Sequence, residues 1–481
     1  MTLSEQLGQF AAGLTFADLP PDVVASVRDR LLDTVGLCLA GSRTEEAVAV
    51  LGLAARAGGD AEATAIGFER PLPAAQAALI NGLSAHALDF DDTHLPSILH
   101  PSAVLIPAAL AVAEAEDAGG RELAAALAAG YEVDVRLGMA AYDEAAANNA
   151  FFERGLHATS ICGTLAAAVV AGRLMRLPGK QVADAIGIAA SMGAGIIEAN
   201  RSGGSVKKLH CGLAARAGIE AARMARAGIT GPPTALEGRF GFYAAFVQGA
   251  YEPTVVVRGL GAEWETPRIF YKPYPANHFT HTGIEAARRL RLRAGFDVGQ
   301  VRRLELRMAT PTLRTIAEPR EEKVRPRSGY QAKFSGPYTV AAALLGGGGL
   351  GLGHGDFTDT RAADPAVLQL AAKVYCVSDP RCDAVYPRQF PAVLVAQMED
   401  GSTFIEEVME NFGSPQRPLG RSGLRTKFDD NCAAAGLTAA APKLAAAVAD
   451  VVEEGPARMM RLLRKVVAAR GADPDTKKEV A

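Results

Sequence analysis

The sequence has little of several features that would point directly to a function. Its six cysteines form no Cys-x-x-Cys pair, which argues against a zinc site or a disulfide framework and fits a reducing cytoplasm. Aromatic residues make up only 6% of the 481 residues, and Trp264 is the single tryptophan. The amino terminus lacks a basic patch followed by an apolar run, and no charge-free stretch is long enough to span a bilayer. We therefore expect a soluble, cytoplasmic protein.

Neither sign of charge is in excess. The chain has 50 lysines and arginines against 53 aspartates and glutamates, a formal net charge of −3. This balance gives no general attraction to nucleic acid or to an anionic membrane, so we expect neither as a partner. An anionic substrate would have to be held by individual cationic side chains.

Apolar residues are abundant, at 49% of the chain, which is enough for two hydrophobic cores at this length. In the first half they recur at helical spacing, beginning with Val23, Val27 and Leu31. Such patterns predict helices at about 21–41, 73–87, 101–117, 121–141, 158–175, 179–192 and 209–227. Alanine and glycine fill these segments, so helix backbones can approach closely and a compact bundle is expected.

The pattern changes after about residue 265. Two runs with period-two alternation, 391–398 and 402–409, flank the step Asp400-Gly401 and predict a β-hairpin. We therefore predict a mainly α fold, in which a large all-helical bundle domain is followed by a second, smaller α+β lid domain. The predicted bounds are 1–265 for the helical domain, completed by about 425–465 packing back, 266–424 for the lid, and 466–481 for a mobile tail.

The segment from His86 to Ser102 holds the densest group of reactive side chains. It contains three carboxylates and three imidazoles between two apolar helical stretches. Asp89 and His100 are examples of groups with opposite proton affinity that can be held against a common ligand. This composition predicts an active site.

Four further segments place reactive side chains at helix starts or turns. His157 precedes an apolar helix, where the alternative is a cap with an incidental histidine. Lys207 and Lys208 also precede a helix, and a bound anion explains them because lysines at a helix start oppose the helix dipole. Lys272 lies at a double-proline turn, and the alternative is that it is an ordinary lysine exposed to solvent. Tyr338 lies near a helix start, and the alternative is that it is an ordinary tyrosine of the hydrophobic core.

Two motifs are set aside. The glycine-rich run 346–355 follows a predicted helix and lacks the Lys-Ser/Thr of a phosphate-binding loop, so we interpret it as a flexible loop. The acids at 89–92, with a second cluster at 429–430, resemble the magnesium-binding acids of all-helical terpene cyclases. Those enzymes need aromatic walls for carbocations, and this sequence is poor in aromatic residues.

Taken in order, the motifs resemble those of the MmgE/PrpD family over about residues 5–455. This family includes 2-methylcitrate dehydratase, cis-aconitate decarboxylase and iminodisuccinate epimerase. The motifs are Asn81-Gly-x-Ser-Ala-His86-Ala-Leu-Asp-Phe-Asp-Asp-Thr93, His100-Pro-Ser, His157-x-Thr-Ser-x-x-Gly-Thr164, Lys207-Lys-Leu-His-x-Gly-x-Ala-Ala215, Gly231-Pro with Leu236-Glu-Gly-Arg-Phe-Gly241, and Lys272-Pro-Tyr-Pro275 with His281.

The resemblance implies a helical domain with a smaller lid, a homodimer, a small di- or tricarboxylate as substrate, and catalysis without a metal or an iron–sulfur cluster. Two departures bear on which acid is used: the stretch between Thr93 and His100 is one residue longer than in cis-aconitate decarboxylases, and Ala276-Asn277 stands where many members have a cysteine. The pocket residues that the resemblance implies are Asp89, Thr93, His100, His157, Lys207, Lys272 and Tyr338, to which we add His281 as substrate-binding.

These residues suggest one mechanism. Family substrates lose a proton or a carboxyl group to give an enolate-like species, which Lys207 and Lys272 would stabilise. His100 and His157 are the candidate acid and base, in either order, since an imidazole exchanges protons near neutral pH. Asp89 would orient an imidazole, and Thr93 would bond a substrate carboxylate or hydroxyl.

We therefore predict a cofactor-independent lyase that dehydrates a 2-methylcitrate-like acid or decarboxylates a cis-aconitate-like acid. An epimerase or other isomerase of a small dicarboxylate on the same scaffold is the first alternative. A non-catalytic carboxylate-binding protein is the second.

Overall fold

A computed structural model describes residues 1–146 and 148–471, which form two compact units. The first unit comprises Met1–Ala87, Asp91–Ile269 and the chain from Asn431 onward, and the second comprises Leu88–Phe90 and Phe270–Asp430. The sequence-based boundaries were 265–266 and 424–425. The three residues Leu88–Phe90, which belong to the second unit while their neighbours belong to the first, were not anticipated.

The first unit is built almost entirely of helices. Each of the seven helices expected from the apolar pattern is present, with ends within three residues of the expected ones. Two short antiparallel strand pairs, Ala63–Thr64 with Pro71–Leu72 and Tyr142–Asp143 with Asn148–Asn149, lie among them. The helices are Leu3–Gly13, Pro21–Gly41, Glu45–Ala57, Ala74–His86, Ser102–Ala115, Gly120–Ala140, Ala150–Glu153, Ala158–Leu174, Gly179–Ala189, Ala199–Ser202, Val206–Arg226, Phe242–Val247, Pro253–Val257, Ala441–Ala449, Val451–Glu454 and Pro456–Gly471.

Glycines bring three of these helices into close contact. A Cβ atom on Gly212 would lie 2.0 Å from the carbonyl oxygen of Leu79, and one on Gly82 would lie 2.7 Å from Cα of Gly212. A Cβ atom on Gly218 would lie 2.4 Å from Cβ of Ala167. The helix that starts at Val206 therefore packs at backbone distance against both Ala74–His86 and Ala158–Leu174, as the small residues of the sequence predict.

The second unit combines helices with a four-stranded sheet. The strand order is Val374–Ser378, Val301–Met308, Ala392–Met398 and Thr403–Val408; the first two strands are parallel and the other pairings antiparallel. The last two strands form the predicted hairpin across Asp400-Gly401. The helices are His281–Arg291, Thr310–Ile316, Arg320–Val324, Gly329–Ala332, Gly336–Leu345, Asp359–Ala362, Pro365–Ala372 and Pro380–Asp383, and a helix Gly420–Ala434 runs across the boundary at 430. A mainly α fold with a smaller α+β region is confirmed.

The carboxyl-terminal part differs from the expected mobile tail. Residues 466–471 continue the helix Pro456–Gly471, because Val467 is 2% exposed and anchors the last turns to the first unit. Residues 472–481 lie outside the described residues. Within the described part of the chain, none of the helices combines the length and apolar character that a membrane crossing requires.

The interior of the first unit contains a carboxyl group, on Asp134, that we expect to be uncharged. It lies on the helix Gly120–Ala140 at 0% exposure, and neither carboxyl oxygen makes a hydrogen bond within the described residues. Burial raises the pKa of Asp134 well above its usual value, and the charge of Asp92 raises it further.

We predict that Asp134→Asn makes folding less sensitive to pH. Above about pH 4 the unfolded chain releases this proton while the folded chain keeps it, so the free energy of unfolding falls by about 1.4 kcal/mol per pH unit until the folded pKa is passed. The amide cannot ionise and removes that contribution. Urea unfolding of wild type, Asp134→Asn and the exposed control Asp60→Asn from pH 5 to 8 measures it; equal pH slopes in all three proteins would contradict the prediction.

Candidate active site

His157 forms a side-chain pair with His210. It occupies the N-cap position of the helix Ala158–Leu174, but its ring makes no capping bond. Its Nδ1 instead lies 2.9 Å from Nδ1 of His210, on the helix Val206–Arg226, and both rings are buried. Because one ring donates and the other accepts, two neutral imidazoles share a single proton between these atoms. The interpretation of His157 as an incidental cap residue is therefore not supported.

The environment keeps both rings of this pair neutral. Burial lowers the pKa of His157 well below its ordinary value, and electrostatic interaction with the neighbouring His86 and Lys207 side chains lowers it further. Burial also lowers the pKa of His210 to about 4, with contributions from the same two neighbours. Near neutral pH the pair therefore carries no charge of its own.

A second buried pair, His86 and Asp91, lies beside the first. Nδ1 of His86, the last residue of its helix, is 2.7 Å from Oδ2 of Asp91, and both side chains are 1% exposed. The His86 ring centre is 5.5 Å from that of His100 and 5.7 Å from that of His157. The first unit therefore contains an imidazole cluster, which we define as His86, His100, His157 and His210.

Asp92 holds the segment that carries His100. Arg30 donates to Asp92 Oδ2 at 2.6 Å, with both side chains 1% exposed, and the backbone N–H of Ser102 donates to Oδ1 at 3.1 Å. Nδ1 of His100 donates to the Asp92 carbonyl at 2.7 Å, and Oγ1 of Thr93 is 3.3 Å from the same nitrogen. Since a carbonyl only accepts, His100 carries a hydrogen on Nδ1, and in its neutral form the lone pair is on Nε2.

The structure separates the two adjacent lysines at the start of the helix Val206–Arg226. Lys207 is buried, and its charge acts on both His157 and His210. Lys208 instead donates to Glu46 at 2.7 Å. The sequence does not distinguish these two ammonium groups, whereas in the structure only the one on Lys207 belongs with the imidazole cluster.

Asp89 and Lys272 form a buried ion pair in the second unit. The Lys272 ammonium donates to Asp89 Oδ1 at 3.2 Å and to the Asp89 carbonyl at 3.1 Å, and Lys272 is 1% exposed. This burial excludes the alternative of a solvated surface lysine. Asp89 has a φ of 53°, in the left-handed region that aspartate tolerates better than most residues.

Two more lysines of the second unit bond the carbonyls on either side of Asp89. Lys333 donates to the Leu88 carbonyl at 2.8 Å, and Lys427 donates to the Phe90 carbonyl at 2.8 Å. The Lys427 ammonium also lies 4.0 Å from the centre of the Phe90 ring. Each of the three residues Leu88–Phe90 thus has its carbonyl bonded by a buried lysine.

His281 and Tyr338 also lie inside the second unit. Nε2 of His281 donates to the Ala276 carbonyl at 3.0 Å, while its Nδ1 is buried without a hydrogen-bond partner in the described residues. Burial lowers the pKa of His281 to about 3. Tyr338 lies in the hydrophobic core of the unit, and its hydroxyl donates to the Asp356 carbonyl at 2.7 Å. Substrate binding by these two residues stays a prediction.

The predicted residues fall into two groups, one in each unit. Thr93, His100, His157 and Lys207 lie together in the first, and Asp89, Lys272, His281 and Tyr338 lie in the second. Sequence reasoning did not select His86, Asp91 or His210, although all three lie inside the quoted motifs. It also missed Lys333 and Lys427, which no motif marks, because lone lysines are far more often solvated.

One group of side chains has the composition of a metal site. His86, Asp91 and Cys211 are buried, and each offers a ligand atom within 4.8 Å of the others. However, His86 Nδ1 and Asp91 Oδ2 are at hydrogen-bond distance, whereas nitrogen and oxygen ligands of one zinc ion lie about 3.3 Å apart. Burial also raises the pKa of the Cys211 thiol well above its ordinary value. The three side chains therefore fit a histidine–carboxylate pair beside a protonated thiol, and we assign no metal to them.

Comparison with known proteins agrees with the order of the motifs. Residues 5–254 match the MmgE/PrpD N-terminal domain and residues 274–451 match the MmgE/PrpD C-terminal domain. The chain therefore belongs to the MmgE/PrpD family.

Several curated relatives cover most of the chain. A cis-aconitate decarboxylase-like protein of Aspergillus oryzae is 30% identical over 449 residues, 89% of each chain. The human cis-aconitate decarboxylase is 29% identical over 442 residues, 89% of this chain and 88% of its own length. A 2-methylcitrate dehydratase of Cupriavidus necator is 27% identical over 379 residues, 75% of this chain and 74% of its own length.

We predict that His157 and His210 stay neutral well below pH 6.5. Since the unfolded chain takes up these protons near pH 6.5 and the folded chain does not, the stability from this pair is complete above pH 6.5 and is lost as the pH falls. ¹⁵N NMR of histidine-labelled protein, with signals assigned by His157→Asn and His210→Asn, should place the His210 titration at a pKa of about 4. Doubly protonated rings for both residues at pH 6 would contradict the prediction.

Proposed function

We propose that this protein is a cofactor-independent lyase acting on a small di- or tricarboxylate. As a member of the MmgE/PrpD family with relatives named decarboxylase and dehydratase, the chain is an enzyme of the lyase class. The finer proposal is that it either dehydrates a 2-methylcitrate-like acid or decarboxylates a cis-aconitate-like acid. The names of the relatives support these two reactions.

The imidazole cluster beside the Lys207 ammonium is the observation that carries the proposal. Both reactions put negative charge on a carbon next to a carboxylate, and a fixed ammonium stabilises that charge most effectively where water is excluded. Lys207 is 8% exposed, which meets this condition. The rings of His100 and His157 supply the proton transfers that either reaction needs.

Each remaining residue of the first unit has a role in this proposal. Nε2 of His100 keeps a lone pair, so this ring can accept a proton in the resting enzyme. His157 exchanges a proton at Nε2 while His210 holds its Nδ1. Thr93, whose hydroxyl lies beside His100, bonds a carboxylate or hydroxyl of the substrate.

Lys272 supplies the second ammonium in the proposal. Its motif resembles that of the family, and its ion pair with Asp89 supports a revised role for the aspartate. The sequence alone suggested that Asp89 orients an imidazole. We propose instead that Asp89 positions the Lys272 ammonium, because that ion pair is buried in the second unit.

We further propose that the protein works as a homodimer in the cytoplasm. Family resemblance supports the dimer, which light scattering on the purified protein tests directly. All six cysteines are free thiols, which supports a reducing compartment.

Incubation with citrate, 2-methylcitrate and cis-aconitate in deuterated water tests the proposed reaction. Loss of water with formation of a double bond identifies a dehydratase. Loss of carbon dioxide with one deuterium in the product identifies a decarboxylase. Deuterium incorporation with inversion and no change in composition would identify an epimerase, and binding without turnover would refute the proposal in favour of a carboxylate-binding protein.

We predict that His157→Ala and Lys207→Ala each lower kcat by about 10²–10⁴-fold without loss of fold. Lys208→Ala is the matched control, because its ammonium is paired with Glu46 at the adjacent position of the same helix. Steady-state rates measure the effect, and circular dichroism with thermal unfolding verifies the fold. Wild-type rates in either of the first two variants would refute these roles.

Removal of divalent cations should leave turnover unchanged. Chemistry carried by imidazole and ammonium groups needs no metal, so activity should persist after dialysis against EDTA. The rate is measured alongside the metal content of the dialysed protein. Activity that disappears with EDTA and returns with Mg²⁺ or Zn²⁺ would overturn the cofactor-independent part of the proposal.

A further inference from the structure

Three rings of the imidazole cluster differ in the partner of their Nδ1 atoms. His100 bonds a backbone carbonyl, His157 bonds the imidazole of His210, and His86 bonds the carboxylate of Asp91. The carboxylate is the one ionisable acid among these three partners. A hydrogen bond to a charged group is stronger than one between neutral groups.

This pairing determines that Nδ1 of the His86 ring carries a hydrogen. An ionised carboxylate only accepts, so Nδ1 of His86 carries a hydrogen, and in the neutral ring Nε2 has the lone pair. Nε2 is buried and has no hydrogen-bond partner in the described part of the chain. A buried polar atom without a protein partner is destabilising, which makes Nε2 of His86 a candidate to bond a ligand.

We propose that His86, oriented by Asp91, is the catalytic residue that exchanges a proton with the substrate carbon. This inference rests on the proposed function and revises one role within it: Nε2 of His86 exchanges the proton at carbon, Asp91 is the positioning residue behind it, and His100 and His157 keep the proton transfer to the leaving group. The unpartnered Nε2 then has a partner in the substrate-bound enzyme, which explains why the free enzyme leaves it without one.

The electrons and protons balance in both candidate reactions. In a dehydration, the carbon–hydrogen bond breaks toward Nε2, its electron pair forms the new double bond, and the carbon–oxygen bond breaks as an acid of the cluster protonates the departing hydroxide to water. In a decarboxylation, Nε2 of His86 first takes a proton from solvent; the carbon–carbon bond then breaks to release carbon dioxide, its electron pair stays on the carbon, and Nε2 gives its proton to that carbanion. No oxidant, reductant or further reactant is required.

The other two rings are less suited to taking up the proton. His157 would have to share the new charge with a neutral ring, and burial beside other cations already lowers its pKa well below the usual value. Nδ1 of His100 bonds the Asp92 carbonyl, a neutral acceptor that stabilises a cation less than a carboxylate does. In His86 the new imidazolium faces a negative charge 2.7 Å away, as in the carboxylate–histidine arrangement of many general bases.

Charged and titratable groups from several elements lie around His86. These are Asp91 and His100 from the following segment, His157 from the start of its helix, and Lys207, His210 and Cys211 from the helix Val206–Arg226. Lysine and protonated histidine oppose a positive charge on His86, and Asp91 favours it. The effect of Asp91 is therefore isolated by changing that residue alone.

The test uses the full-length protein and the acid found to be turned over. We expect His86→Ala and His86→Gln to lower kcat by about 10²–10⁴-fold, with a smaller effect on KM. Added imidazole should restore part of the rate of His86→Ala, because the free base can occupy the space of the deleted ring. Asp91→Asn should lower kcat and move one limb of its pH profile to lower pH, because the imidazolium loses its carboxylate: the acidic limb if the reaction is a dehydration, in which His86 is the base, and the basic limb if it is a decarboxylation, in which His86 is the acid.

His94→Ala is the matched control. His94 is also a buried histidine of the first unit, and its ring nitrogens bond Ser97 and Glu265 at 2.7 and 3.4 Å, within the protein's own framework. This variant should keep most of the wild-type kcat and show no response to imidazole. Circular dichroism and thermal unfolding verify each fold, and His86→Gln carries the test should His86→Ala fail to fold.

The outcomes separate this inference from the proposed function. If the wild type turns over an acid and the His86 variants match it, the inference is wrong and the proposed function stands. Slow His86 variants without imidazole rescue, together with an unmoved pH limb in Asp91→Asn, would also overturn it, since they indicate a structural role. A wild type that turns over none of the acids refutes the proposed function, and the inference with it.

Discussion

Backbone contact between helices is the constraint on which the candidate site depends. Gly212 faces the helix that ends at His86, and Gly218 faces the helix that His157 precedes. Any side chain at either glycine would push these helices apart by more than the tolerance of a 2.9 Å hydrogen bond between two rings. The geometry of the imidazole cluster is therefore set by residues that have no side chain and no chemistry of their own.

Buried charge in both units is matched by nearby polar groups. Asp92 meets Arg30 and the start of a helix, and Asp89 meets Lys272. Breaking such a pair on one side costs about 3–5 kcal/mol, so these contacts restrict how the segments around them can move. Asp134, His157 and His210 avoid the cost differently, by remaining uncharged. Fixed charges thus lie in ion pairs such as Asp92 with Arg30, whereas His157 and His210 of the imidazole cluster are neutral and can be protonated.

Much of the fold could be predicted from sequence, because helical spacing and small residues are local signals. The helix 209–227 was placed within three residues of its true start, and the Asp400-Gly401 hairpin was found from its turn residues. The site was predicted in part. His157 and Lys207 were selected, but the pairing of His157 with His210 and of His86 with Asp91 depends on which ring faces which, and spacing along the chain does not determine that. Lys333 and Lys427 could not be predicted, because the Leu88 and Phe90 carbonyls to which they donate lie more than 200 residues away in the sequence.

The second unit is discontinuous in sequence, because it includes the three residues Leu88–Phe90 from the amino-terminal half. A recombinant fragment covering 270–430 would contain Lys272, Lys333 and Lys427 but not the carbonyls of Leu88–Phe90 to which these lysines donate. Exchange of this unit between relatives by recombination must therefore carry a short insert from the amino-terminal half as well. Evolution of the two halves of the gene is coupled at this point, and chimaeras designed at a single crossover near residue 270 would inherit a mismatched insert.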